Sequence, residues 1–149
     1  MTTDQQPPNN PSAAGEDDWI HIGEHAFRLR ASDTILLRAR GDITLDNARF
    51  IFKTLISWPR PDQGFCVILN VTDLRHYSQQ ALRELNEVPT AYFRAVAVVG
   101  ASFRHRVLID TTMRAARFFN LNFPPGHARY LATEDLAFDW VERLRCGEA

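Results

Sequence analysis

Ser102, His105 and Asp110 fall within one short stretch of the chain, and those three residue types together suggest acyl transfer. Gly100, Ala101 and Ser102 follow an apolar run and open a helix, the setting in which a serine can become a nucleophile. Arg104, however, stands where the second glycine of the Gly-x-Ser-x-Gly elbow belongs. A hydrolase also draws its acid and base from distant loops. Ser102 is therefore read as a helix N-cap, and no enzyme is expected. Ser78 opens another helix and is read the same way, with phosphoacceptor as the less favoured alternative. The histidines His21, His25, His76, His105 and His127 share no metal spacing with Cys, Asp or Glu beyond the loose His21/His25 pair, so no metal site is expected. The glycines form neither a dinucleotide fingerprint nor a phosphate loop, and no cofactor is expected.

The stretch after Gly100 carries binding chemistry instead. Gly100 and Ser102 allow close backbone approach to the unpaired N–H groups of a helix N-terminus, and Arg104 and Arg106 stand beside them. These four residues are the candidate anion or partner site. From Arg94 to Arg129 the chain has six arginines and one acid, Asp110, a local net charge of +5. Asp110 is four positions from both Arg106 and Arg114 and can pair with either. Along a helix over 104–119, the apolar residues spread through an arc of roughly 240°, where docking on one sheet needs about 100–160°. Leu108, Phe118, Phe119 and Phe123 are the candidate apolar partner face.

The elements that position these groups follow from periodicity. Phe27 and Leu29, then Ile35, Leu37 and Ala39, alternate with mostly basic residues and read as two strands joined by a turn at Ser32 and Asp33. Thr44 caps a helix over 45–58 that buries Leu45, Ala48, Ile51, Phe52, Leu55, Ile56 and Trp58, and Pro59 ends it. Phe65–Leu69 and Ala95–Val99 are continuous apolar runs, the pattern of strands covered on both faces. A polar link after Leu69 leads to a helix over 79–88. Ala128–Leu131 is a short strand, and Thr133 caps a last helix that buries Leu136, Ala137, Trp140, Val141 and Leu144. The order β-β-α-β-α-β-α-β-α implies an α/β fold: a mixed, mostly parallel sheet of about five strands packed with about four helices.

Composition bounds the rest. The chain has 149 residues, 45% hydrophobic and 23% charged, which fits one domain. Residues 1–18 hold Asp4, Glu16, Asp17 and Asp18, no base and no large apolar residue except Met1, so a disordered tail precedes a domain over 19–149. No secretory signal or bilayer-crossing run is visible, and Cys66 and Cys146 form no disulfide framework; a cytoplasmic protein is expected. Sixteen of the 17 basic residues are arginine, with no aromatic-basic motif, and nucleic acid is not an expected partner.

Four stretches carry a family resemblance: Thr34 to Leu45 (TILLRARGDITL), Val67 to Leu74 (VILNVTDL), Ala95 to Gly100 (AVAVVG) and Ala128 to Val141 (ARYLATEDLAFDWV). In order and spacing the chain resembles the STAS, or anti-sigma-factor-antagonist, superfamily, and within it the SEC14-like group of small bacterial proteins. The resemblance covers residues 25–145 and implies a regulatory domain that works by binding. In phosphoswitch antagonists a partner kinase phosphorylates a serine at the start of the second helix. Here Gln79 and Gln80 fill the serine positions and Ser78 replaces the preceding Asp, which implies a domain without that switch. The expected function is a non-catalytic protein-interaction domain, with a protein partner or self-association. The alternative is a binder of an apolar or lipid ligand, or of an anionic membrane surface.

Overall fold

The computed structural model describes residues 18–87, 92–118 and 128–147, with the backbone alone at 82, 85–87 and 112–118. Strands β1 (Ile20–Ile22), β2 (His25–Arg30) and β3 (Thr34–Ile43) are followed by α1 (Leu45–Ser57), β4 (Phe65–Tyr77), α2 (Gln79–Glu87), β5 (Phe93–Val99), α3 (Phe103–Phe118), β6 (Ala128–Leu131) and α4 (Glu134–Arg145). One six-stranded sheet runs in the order β1-β2-β3-β4-β5-β6, antiparallel from β1 to β3 and parallel from β3 to β6. The α/β class and the mostly parallel sheet are as expected.

The sheet has six strands where about five were expected. Ile20–Ile22 was not foreseen, because three residues carry too little alternation to register as a strand. The stretch read as a polar link after Leu69 is the second half of β4. Its pairing with β3 shifts register between Arg38 and Arg40 and again between Gly41 and Asp42, so β4 bulges twice. Each bulge interrupts the period of two that a sequence reading follows.

Alternating side chains send each strand to two cores. Leu36, Cys66, Ile68, Ala95, Ala97 and Val99 face α4, which buries Ala137, Trp140, Val141 and Leu144 against them. On the other face Phe27, Ile35 and Phe65 meet Ile51, Leu55 and Trp58 of the α1 region. Farther along that face, Ala39, Val71, Leu74 and Val98 gather Tyr77, Ile109 and Tyr130. Successive parallel strands stepping one way place α1 to α3 on one face by the right-handed crossover rule. The expected buried faces are corrected at two positions: Ile56 and Leu136 are 49% and 48% exposed. Both sit at the margin of their helix's apolar stripe, where the angular pattern is least decisive.

Polar ties hold α4 to the sheet. Arg38 Nε and Nη2 donate to the two Glu134 carboxylate oxygens at 2.9 and 2.8 Å, and Asn70 Nδ2 donates to Oε2 at 2.6 Å. Arg145 donates to Asp33 at the opposite end of the helix. The Arg38 hydrogen bonds, and secondarily Asn70, hold the Glu134 carboxyl below its ordinary range despite the opposing effect of burial. Because the folded value lies below the unfolded one, this contribution is present at neutral pH and is lost as pH falls through the carboxylate range. Glu134→Gln is expected to cost about 1–2 kcal/mol at pH 7, measured by urea unfolding. The difference from the native chain should shrink toward pH 3; an undiminished difference there would contradict the assignment.

Candidate functional site

The parallel strands β3, β4 and β5 end on one side of the sheet, where α1, α2 and α3 begin. This carboxyl edge therefore gathers three helix N-termini. Each of these helices starts on a hydroxyl cap, because a short polar side chain can satisfy an N–H that the helix leaves open. Thr44 Oγ1 accepts from Asn47 N at 3.2 Å, Ser78 Oγ from Ala81 N at 3.0 Å and Ser102 Oγ from His105 N at 3.3 Å. Between α1 and α2 lies an open cleft of ≈ 540 Å³, lined by Asp42–Asp46, His76, Tyr77, Ser78 and Gln80.

Tyr77 joins this cleft to α3. Its ring lies 6.3 Å from that of His105, and His105 is buried at 8% exposure. Neither Tyr77 Oη nor His105 Nδ1 has a hydrogen-bond partner among the described residues. Burial pushes the Tyr77 phenol up, with the nearby Arg104 charge opposing it. Tyr130 on β6 ties down the other side of α3. Its hydroxyl donates to Asp110 Oδ1 at 2.7 Å, and the Arg106 guanidinium lies 5.2 Å from the centre of its ring. Burial first, and the Asp110 hydrogen bond second, push the Tyr130 phenol up.

The four residues of the candidate anion site divide into two kinds. Gly100 has φ +72°, and a Cβ there would overlap the Thr72 hydroxyl and stand 3.2 Å from the Thr72 Cα. Its close approach is thus made by strand β4, while its N–H donates to Leu131 O at 3.1 Å. Ser102 is engaged as the α3 cap. Arg104 and Arg106 are exposed on the first turns. Of the candidate apolar face, Leu108 is 37% exposed. Phe118 ends α3 with its backbone alone described, and Phe119 and Phe123 lie outside the described residues.

Ser102, His105 and Asp110 do not form a relay. The Ser102 hydroxyl accepts from the His105 backbone, the His105 ring turns to Tyr77, and Asp110 accepts from Tyr130. Residues five apart on a helix point about 140° from one another, so the spacing that looked suggestive separates them. Among the described residues no group of three or more His, Cys, Asp or Glu is placed to hold a metal ion.

The outward side of α3 is apolar at its start. Between 103 and 111, where side chains are described, His105 is buried and Ile109 packs into the core with Val98 and Tyr130. Phe103 is 83% exposed and Val107 47%. Phe103 begins α3 one residue before the start that the sequence implies, at 104, and so falls outside the apolar arc. Tyr77, Thr72 and Tyr130 carry no local sequence signal, because their contacts to His105, Gly100 and Asp110 join separate elements.

The same fold occurs in solved structures. One is an uncharacterized protein of the DUF3478 family with a SpoIIAA-like fold, from Shewanella loihica PV-4. It has 19% sequence identity and a TM-score of 0.52, over 81% of this chain and 98% of that one. Another is the anti-sigma factor antagonist SpoIIAA in its unphosphorylated form, with 13% identity and a TM-score of 0.55, over 78% of this chain and 96% of that one. At such identities the likeness establishes a STAS-type, SpoIIAA-like fold. No family model matches the chain, and no curated protein matches it in sequence.

Proposed function

We propose that this chain is a regulatory, cytoplasmic protein-interaction domain without catalytic activity, and that it holds its partner on the first two turns of α3. The observation that carries the reading is the outward pair Phe103 and Val107, one largely and one half exposed among the described residues. Burying a Phe or Val side chain fully stabilises an assembly by about 1.5–3 kcal/mol, so the pair can anchor an interface. The likeness to an anti-sigma factor antagonist supports a binding role, and the separation of Ser102, His105 and Asp110 supports a non-catalytic one. Regulation through a serine on α2 is not part of this reading. Gln79 and Gln80 stand at the serine positions implied by the resemblance, and the Ser78 hydroxyl is engaged as a cap.

Both anchor side chains are exposed, so Phe103→Ser with Val107→Ser should leave thermal unfolding within about 0.5 kcal/mol of the native chain. Crosslinked tagged chain should retain a partner from its native cells that the double variant loses. Equal recovery of that partner by both proteins would remove α3 from the interface and sink the proposal.

A further inference from the structure

We infer that the partner presents an acidic amphipathic helix to α3, an inference that rests on the protein-binding reading above. Phe103, Val107 and Thr111 are successive i+4 positions and form one ridge on the outer side of α3. At about 100° per residue, Arg104 lies to one side of Phe103, and on the other side Arg106 lies about 60° away with the exposed Asp110 between them. A ridge with Arg104 on one side and Arg106, beside Asp110, on the other carries a net charge of +1 and suits a helix whose apolar seam receives Phe103 and Val107 and whose acids fall beside Arg104, as in paired helices with charges beside the seam. Both arginines can engage such acids. The side chain of Arg104 makes no ion pair among the described residues, and Arg106 uses the Tyr130 ring face, which occupies none of its N–H donors. Asp110, the one acid between 103 and 111, accepts the Tyr130 hydroxyl on Oδ1, which draws its carboxylate toward β6, and Arg106 four places before it offsets its charge.

The tail's acids do not fit the ridge. Glu16, Asp17 and Asp18 immediately precede Trp19, so they reach no more than about 10 Å from it, and Asp4, which has the reach, is a single charge. The strand that leads into α3 is four places from β1 in the sheet, about 19 Å. Residues 2–18 also bring no large apolar side chain to cover Phe103, whether from this chain or from a second copy. An anionic bilayer fits less well than a helix. The same edge exposes Asp42, Asp46 and Asp73 among Arg40, Arg75, Arg104 and Arg106, and Arg40 stands 3.7 Å from Asp73. A uniformly negative plane meets those acids, whereas a helix about 10 Å wide can lie clear of them.

The test measures the full chain against two synthetic helical peptides of roughly 18 residues, alike in a leucine seam and flanked by Glu in one and Lys in the other, and against phosphatidylcholine vesicles containing about 30% phosphatidylglycerol. By fluorescence anisotropy the Glu peptide should bind saturably and at least about tenfold more tightly than the Lys peptide, with the preference shrinking between about 50 and 300 mM salt. Arg104→Gln with Arg106→Gln should cut that preference to within about threefold, and Phe103→Ser should weaken both peptides. Equal or tighter binding of the Lys peptide, no saturable binding of the Glu peptide, or capture by vesicles without peptide binding would each overturn the inference. If the native complex still depends on Phe103 and Val107 while the Glu peptide fails, the protein-binding reading stands and only the acidic helix falls. If the native complex ignores Phe103 and Val107, the reading itself fails.

Discussion

Replacing Gly100 with alanine will lower the free energy of unfolding by about 3–4 kcal/mol. Two costs combine. The backbone at Gly100 has φ +72°, the left-handed region, where a Cβ costs about 1–2 kcal/mol. The added methyl would also overlap the Thr72 hydroxyl and lie 3.0 Å from the Thr72 Cβ. Thr72 cannot easily step aside: its N–H and its hydroxyl both donate to Asn70 Oδ1, at 3.0 and 2.7 Å, and Asn70 in turn donates to Glu134. Overpacking of this kind adds about 1–3 kcal/mol. Urea unfolding at neutral pH checks the total. Thr72→Ala in the same chain should recover part of the loss by removing the overlapping oxygen, while the left-handed cost remains. A Gly100→Ala penalty under about 1 kcal/mol would show that the α3 entry adapts freely and that the tight β4–Gly100 contact does not shape it.

His25→Ala should cost about 3–4 kcal/mol, because a buried side chain and two hydrogen bonds are lost together. His25 is 1% exposed. Its Nε2 donates to Asp42 O at 2.9 Å and its Nδ1 accepts from Arg40 N at 3.1 Å, which fixes the neutral ring with the proton on Nε2. The ladder between β2 and β3 ends with Ala26 opposite Arg38, so the imidazole serves β3 backbone groups that β2 does not pair. The variant leaves those groups unpaired and opens a cavity, and each effect is separately costly. His25→Gln should retain part of the stability, since its amide can donate or accept once at that place. Comparison of the two variants by chemical denaturation separates cavity from hydrogen bonding. A His25→Ala loss below about 1 kcal/mol would mean that water replaces the ring in full.

Much of the fold is legible in the chain because its determinants are local. All four caps, Thr44, Ser78, Ser102 and Thr133, accept from a backbone N–H three residues on, and a contact at that separation can be read from residue type. The apolar runs Phe65–Leu69 and Ala95–Val99 needed only burial on both faces, and the stripe from Ala137 to Leu144 only its helical period. The site is less legible. Gly100 looked like room for an anion and is filled by Thr72 from a neighbouring strand. His25 looked like half of a loose pair with His21. The hairpin register sets His21 opposite Ala26, with His21 facing solvent and His25 buried against β3. The spacing offered Asp110 an arginine on its own helix, but β6 brings it the hydroxyl of Tyr130.

The amino-acid sequence by itself determined the succession of elements, the caps and most of the buried faces. These depend on interactions within a few residues or on a repeating apolar period. Only the tertiary structure decided that β4 bulges on to Tyr77, that Arg38 meets Glu134 across 96 positions, and that α3 turns His105 and Ile109 inward while Phe103 and Val107 face water. Those outcomes depend on which strands become neighbours and in what register, and pairing between distant segments has no period within the chain to reveal it.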